Sequence, residues 1–393
     1  MGQGMIGIGI NTGTSADAID VAIAEFGKGG AFPSVRLLWD GTYPYPPELK
    51  RLFLGLADRM APLEPSVLLG MIGRLDFSLG IAFADAIEGS IKASGIGRRR
   101  ISFIGSHGQT VWHGPLPSRT HPRGRFSTGS TVQLGNPSVI ASRTGIPVVA
   151  HFRDKDIALG GQGAPLAPVV HFELFKHYAP AVVLNIGGIA NMTVLPSRHD
   201  PSSVYGFDTG PGNRLIDIAV GAYTGGKRAF DRNGLLAGKG NIDGALLRRL
   251  MTDPFVRRHP PKSTGRERYN RTYLTSRGIA MDDLSIIATL TAFTAYSIAY
   301  NIGHFVGHRT GHVIICGGGA NNRTLIRHLS RLVPDADTRP VEDLGYRPGA
   351  VEPLLFAYLG YLGFNRVPVR LKGITGSTSA FVPGGIYYPL VRT

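Results

Sequence analysis

Cysteine is nearly missing. One residue, Cys316, occurs in 393, so neither a disulfide nor a cysteine-based metal site can form within a single chain. It lies in the apolar run Val313-Ile314-Ile315-Cys316, and such sparing use fits a reducing, cytoplasmic setting. No run of eighteen or more apolar residues is present, because Gly, Asp, Arg or Lys breaks each one, and no membrane span or membrane partner is expected. The opening Met-Gly-Gln-Gly-Met-Ile has no basic flank, apolar block or cleavage site of the secretory kind, and Ile6 stands where myristoylation needs Ser or Thr. Acidic residues are few: 27 against 42 Lys and Arg, a formal charge of +15. That charge attracts phosphate-bearing ligands and nucleic acid alike. The one tight cluster, Arg98-Arg99-Arg100, is accompanied by no zinc-finger, stacking-aromatic or helix-turn-helix pattern. A solvated Arg-rich surface therefore accounts for it, and no nucleic-acid partner is expected.

What is present is a chain that is 43% hydrophobic and 18% charged, long enough for two domains. Ile6, Ile8 and Ile10, a Gly/Thr/Ser turn, then Ile19, Val21 and Ile23 predict an N-terminal β-hairpin. Leu68, Ile72, Leu75, Leu79, Phe83 and Ile87 recur at three- and four-residue spacing, predicting a helix over Pro65 to Ser94 with one buried face. A short strand, Ile101 to Ile104, ends at a polar turn, and Gly114 to Ser130 reads as a long exposed loop. Ala181 to Leu195, split by Gly187-Gly188, predicts a second hairpin. Two strand-turn-strand units with glycine-centred turns are what a duplicated nucleotide-binding fold would have. Leu284 to Val306 reads as a helix, Val313 to Cys316 as a buried strand and Asn322 to Leu332 as a helix, which places the chain in the α/β class.

Three motifs can carry chemistry. The turn Asn11-Thr12-Gly13-Thr14-Ser15-Ala16-Asp17-Ala18-Ile19-Asp20 offers backbone N–H groups and hydroxyls to phosphate and a carboxylate to magnesium. Taken alone it reads first as an ordinary hairpin turn satisfying its own backbone. The strand Val313 to Cys316 runs into Gly317-Gly318-Gly319, where backbone can approach a flat ligand or a phosphate without a Cβ in the way. It is neither a Walker loop nor Gly-x-Gly-x-x-Gly, and a plain strand-to-helix turn has equal standing. Asp208, in Phe207-Asp208-Thr209-Gly210-Pro211-Gly212-Asn213, could serve as a general base or cap the following helix. Polar runs at Ser106 to Thr110 and from Arg153 to Leu166 complete a set of Gly-framed turns. With no metal-ligand spacing and no nucleophile elbow, the set favours phosphoryl transfer over covalent hydrolysis.

At these residues the chain resembles the anhydro-N-acetylmuramic acid kinases and the related levoglucosan kinases along nearly its whole length. The matching blocks are Thr12 to Asp20, Ser106-His107-Gly108-Gln109-Thr110, Thr144-Gly145 through Phe152-Arg153 to Leu166, Asn185 to Asn191, Phe207 to Asn213, Pro260 to Glu267 and Cys316 to Gly319. The resemblance implies a two-domain, actin-like and hexokinase-like ATPase fold with ATP and sugar meeting in a central cleft, divided as 1–145 and 146–393 with the C-terminal tail returning to the first domain. It implies that water opens the 1,6-anhydro bridge while the bridging oxygen takes the γ-phosphoryl group of ATP. Residue by residue, Asp208 matches the base that activates the water. Gly13, Thr14, Ser15, Asp17 and Asp20 match the phosphate and magnesium turn, and Asp17 with Glu352 the groups that hold Mg2+. Asn185, Gly187, Gly317, Gly318 and Gly319 match nucleotide contacts, and His107, Gln109 and Arg153 sugar contacts. The chain departs from the family at Ala18, where the family has Gly, at His151, where it has Asp, and at Pro353, where it has Ala. Asn11 looks like the levoglucosan kinases, so both anhydro sugars stay open, beside a silent sugar- or nucleotide-binding homologue. Two-fold dimers are the commonest assembly of such enzymes, and a homodimer is the corresponding expectation.

Overall fold

The computed structural model describes residues 4–13, 16, 18–27, 33–58, 64–114, 128–265, 268–306 and 310–390. Thr14, Ser15 and Asp17, most of the loop expected over 114–130, and Arg266 and Glu267 lie outside the described residues. The chain forms two compact units, one of residues 1–173 and 349–393 and the other of residues 174–348. The boundary expected at 145/146 falls inside the first unit, between a helix and a strand of the same sheet.

The first unit opens with β1 (Met5–Thr12), β2 (Ala18–Phe26) and β3 (Val35–Pro44), an antiparallel meander. Then come α1 (Pro47–Asp58), α2 (Pro65–Ser94), β4 (Ile101–Ser106), the small hairpin β5 (Gln109–Gly114) and β6 (Ser130–Leu134), α3 (Pro137–Thr144), β7 (Val148–Ala150), α4 (Asp154–Ala158) and, at the unit boundary, α5 (Pro168–Phe175). Helix α2 has the expected bounds: Pro65 occupies its first turn and Gly95, at φ 68°, closes it in the left-handed conformation. It buries Leu75, Leu79, Phe83 and Ile87 against Ile6, Ile8 and Ile10 of β1, while Leu68 stays 37% exposed.

The second unit begins with another antiparallel meander, β8 (Ala181–Ile186), β9 (Ile189–Leu195) and β10 (Tyr205–Pro211). It continues through α6 (Arg214–Tyr223), α7 (Gly244–Leu250), α8 (Pro254–Arg257), α9 (Arg271–Thr275), α10 (Leu284–Asn301) with a π turn to Val306, β11 (His312–Cys316), α11 (Arg323–Leu332) and β12 (Asp337–Pro340). The chain then returns to the first unit with α12 (Val351–Phe364) and β13 (Gly385–Tyr387). The sheets run β13-β7-β4-β1-β2-β3 and β10-β9-β8-β11-β12. In each, three antiparallel strands are followed by two parallel ones, so the duplicated plan read from the two hairpins is present in the topology.

Strand periodicity explains where α12 sits. Alternate side chains of a strand point to opposite faces, so Ile6, Ile8 and Ile10 take the α2 side and Gly7 and Gly9 the other. A Cβ on Gly9 would collide with the Pro353 carbonyl and the Ala357 nitrogen, and one on Gly105 with the Phe356 carbonyl. Glycine at both positions lets the α12 backbone lie against the sheet.

By length and composition, α2 and the stretch Leu284–Val306 are each apolar enough to cross a membrane, which the reading of interrupted runs did not anticipate. The second buries 72% of its apolar window within the protein, as a core helix does, and α2 buries 28%.

Candidate active site

In the first unit the end of β1 is tied down by long-range side-chain bonds. Gln109, fully buried at the start of β5, accepts from the Thr12 hydroxyl at 2.9 Å and donates from Nε2 to the Gly13 carbonyl at 3.3 Å. Both ends of its amide are thus engaged by the turn, a supporting role that the sugar-contact reading did not anticipate. Asn11, 5% exposed, donates from Nδ2 to Glu352 Oε2 at 2.6 Å. Asp20 pairs with Asn11 across the hairpin and accepts from the Thr42 hydroxyl at 2.7 Å. Directly opposed strand residues share a face, so Asn11, Asp20 and Glu352 gather where α12 begins. Glu352 is exposed in the first turn of that helix, where the helix dipole favours a carboxylate.

Beside them, the Arg153 guanidinium donates from Nε and Nη2 to His107 Nε2 at 3.2 and 3.0 Å, and from Nη1 to the Gly163 carbonyl at 2.5 Å. Burial pushes Arg153 down to about 10, opposed by Glu352 and Asp156. Burial and the Arg153 charge hold His107 well below the usual imidazole range, so it is neutral and can accept. Its ring stacks on Phe356 of α12 at 4.3 Å. The buried carboxylate of Asp156 accepts from the Gly163 N–H at 2.6 Å and the Thr375 hydroxyl at 2.6 Å, fixing the loop that carries Gly163. Thr14, Ser15 and Asp17 lie outside the described residues.

The departures from the family pattern fit the backbone at Ala18 and Pro353, whereas His151 takes a left-handed conformation. Ala18 is extended and pairs with Pro44; among the described residues of this hairpin the positive φ falls on Ala16, at 51°. His151 has φ 60°, in the left-handed region that Asn, Asp and His enter most readily. Pro353 is the third residue of α12, where a backbone N–H has no helical partner to lose.

In the second unit the predicted residues converge on the β8–β9 turn. Gly212, Asn213 and Arg214 donate their N–H groups to the carbonyls of Gly188, Gly187 and Gly188, at 2.9, 2.8 and 3.2 Å. Gly317, at φ 78°, passes so close to Asn185 that a Cβ there would collide with its Oδ1, and Gly319 lies equally close to Ile186. Gly318 is exposed with nothing within 4 Å of where a Cβ would be. Gly317 and Gly319 thus pack the triplet against Asn185 and Ile186 at the end of β8, while exposed Gly318 offers bare backbone that a nucleotide or phosphate can approach. Asp208 aligns with Asn185 across β9, through Asn191, and is half-buried on β10, its N–H donating to the Lys262 carbonyl at 3.0 Å and its Oδ2 accepting from the Thr264 N–H at 2.7 Å. It caps no helix: α6 starts after Asn213. Asp217 on α6 escaped sequence reasoning. Burial pushes it up to about 7, against Arg214 and helped by Asp231, and a first-turn aspartate gives no sequence signal of that.

A family model described as anhydro-N-acetylmuramic acid kinase matches residues 5–389. It belongs to the anhydro-N-acetylmuramic acid kinase family. The anhydro-N-acetylmuramic acid kinase of Synechococcus elongatus is 40% identical over 388 residues, covering 97% of this chain and 98% of the relative. That of Shewanella amazonensis is 39% identical over 381 residues, covering 96% and 97%. That of Caldanaerobacter subterraneus subsp. tengcongensis is 37% identical over 387 residues, covering 96% of each. Membership makes the chain an ATP-dependent sugar kinase, as the resemblance implied. Among solved structures, component A of (R)-2-hydroxyglutaryl-CoA dehydratase from Acidaminococcus fermentans is similar at 12% identity with a TM-score of 0.42, covering 90% of this chain and 98% of that one.

Proposed function

We propose that this kinase acts on 1,6-anhydro-N-acetylmuramic acid, opening its anhydro bridge with water and phosphorylating O6. The observation that carries the reading is Asp208, a half-buried carboxylate held by the Thr264 N–H beside the glycine-framed turns. Asp208 takes a proton from water as the water oxygen bonds to C1; the C1–O bond breaks, the freed O6 bonds to the γ-phosphorus, and ADP leaves. The duplicated sheets suit the actin-like, hexokinase-like fold that the resemblance implies. Asn185, Gly187 and Gly317 to Gly319 lie along the nucleotide, and His107 and Arg153 toward the sugar. Phosphoryl transfer relies on positioning and electrostatic stabilisation, and both are available from a neutral His107 fixed by a buried guanidinium. Among the described residues no three His, Cys, Asp or Glu cluster for a metal. Mg2+ needs only one or two carboxylates beside phosphate oxygens and water, so Glu352, with Asp17 and Asp20 from the turn, would hold it. Its chemistry there is neutralisation of phosphate charge. A cytoplasmic homodimer belongs to the same reading.

Asn11 is the feature that keeps levoglucosan open as the alternative substrate, and its amide donates to Glu352. The test is a coupled ADP-release assay with magnesium ATP on 1,6-anhydro-N-acetylmuramic acid, levoglucosan and glucose. Turnover on the first alone is expected. Asp208→Asn should lower turnover by about two to four decades; a variant as active as the wild type would remove Asp208 from the mechanism, and silence on all three sugars would favour a binding protein.

A further inference from the structure

Lys262 is the unusual cation of the second unit. It is 4% exposed, although lysine is seldom buried unless paired. Its Nζ donates to the Phe255 and Val256 carbonyls at 3.1 and 2.9 Å, near the end of α8. The ring centroids of Phe305, Phe255 and Phe207 stand 5.1, 5.3 and 5.7 Å away, a cage of the cation–π kind. An apolar side chain would fill this space without the cost of stripping water from an ammonium. That cost pushes Lys262 down to about 8; Asp208 and Asp253 act to raise it and Arg258 to lower it. His259 meets the same cage through the Phe305 ring, at 4.8 Å.

The main chain gives this lysine its consequence. Its carbonyl accepts from the Asp208 N–H, and two residues on, the Thr264 N–H donates to the Asp208 carboxylate. One short segment thus grips both the backbone and the side chain of Asp208, and its only buried anchor is the Lys262 side chain. We propose that Lys262 is a positioning residue for Asp208: its caged ammonium pins the segment 262–264, whose backbone grips that residue, and its charge acts on the carboxylate. The inference rests on Asp208 being the base.

The experiment compares full-length Lys262→Met, Lys262→Arg and Asp208→Asn by steady-state kinetics from about pH 5 to 9. Methionine is tolerable in the cage because thioethers pack well on aromatic rings, and the Val256 carbonyl keeps a donor in Asn301 Nδ2 at 3.3 Å. Lys262→Met is expected to lose about ten-fold in kcat with the KM for ATP unchanged. The acid limb of its kcat profile should move up by about one pH unit, because a carboxylate that loses a neighbouring cation holds its proton more tightly. Lys262→Arg should restore most of both. If the Met variant does not fold, Lys262→Gln, neutral but still able to donate, takes its place with the same shift expected. An unmoved acid limb overturns the proposal. If Asp208→Asn is inactive while Lys262→Met behaves as wild type, only this inference fails; if Asp208→Asn is fully active, the base assignment fails first.

Discussion

Replacing Gly9 with alanine tests the packing that brings Glu352 to the phosphate turn. The new Cβ would fall 2.9 Å from the Pro353 carbonyl carbon, with the Pro353 oxygen and the Ala357 nitrogen closer still. Ordinary contact begins near 3.4 Å, so α12 must retreat by well over half an ångström, and no flexible side chain is available to yield in its place. Overpacking of this kind costs about 1–3 kcal/mol. Because the obstacle is backbone, the upper part of that range applies. The alanine recovers about 0.4–1 kcal/mol by stiffening the unfolded chain, leaving a net loss of about 2 kcal/mol. The chain has two tryptophans, Trp39 and Trp112, both in the first unit, so urea unfolding followed by tryptophan fluorescence reports on that unit alone. The midpoint should fall by about 1 M at unchanged slope. The control is Gly73→Ala on α2, where nothing lies within 4 Å of the new Cβ and a gain of about 0.5–1 kcal/mol is expected. A Gly9→Ala midpoint equal to that of the wild type would refute the packing argument.

Asp217→Asn should stabilise the protein at pH 8 and leave it unchanged near pH 3. The native carboxyl holds its proton up to about 7, against 3.8 as the ordinary value, so between these the native state binds more protons than the unfolded chain. Stability therefore falls as pH rises through that window, and asparagine removes the dependence; equal shifts in Tm at both pH values would contradict it. Gln109→Leu strands the buried Thr12 hydroxyl, a loss of about 1–3 kcal/mol, while the exposed Gly13 carbonyl keeps the Ala16 N–H as a donor at 3.1 Å. Its KM for ATP should rise about ten-fold or more while that for the sugar holds, and the reverse pattern would return Gln109 to the sugar.

Local patterns carried most of the fold. The β1–β2 alternation, the bounds of α2 between Pro65 and Gly95 and the split of β8 from β9 at Gly187-Gly188 are each fixed by neighbours in the chain. Gly187-Gly188 and Gly317 to Gly319 were legible as turns after strands, whereas the approach of Gly317 to Asn185 depends on the pairing of β8 with β11. Illegible were relations that depend on distant partners. Asn11 and Glu352 are 341 residues apart, and α12 is buried on nearly every side, so no polar face tells which sheet it joins. Ser106 to Thr110 read as a polar loop, yet Gln109 begins a strand and is fully buried. Nothing in the polar run around Lys262 signals burial; three phenyl rings from separate segments make it an interior cation.

The insertion of α12 also fixes an order of events at the ribosome. Residues 174–348 form a continuous unit and can complete their sheet as soon as they emerge. The first unit, although translated earlier, must wait with the Gly7 and Gly9 face of β1 uncovered until residues 351–364 arrive. A nascent chain stalled between these points therefore carries a finished second unit and an unfinished first, and chaperones or proteases that sense exposed apolar sheet would act on the N-terminal part of it.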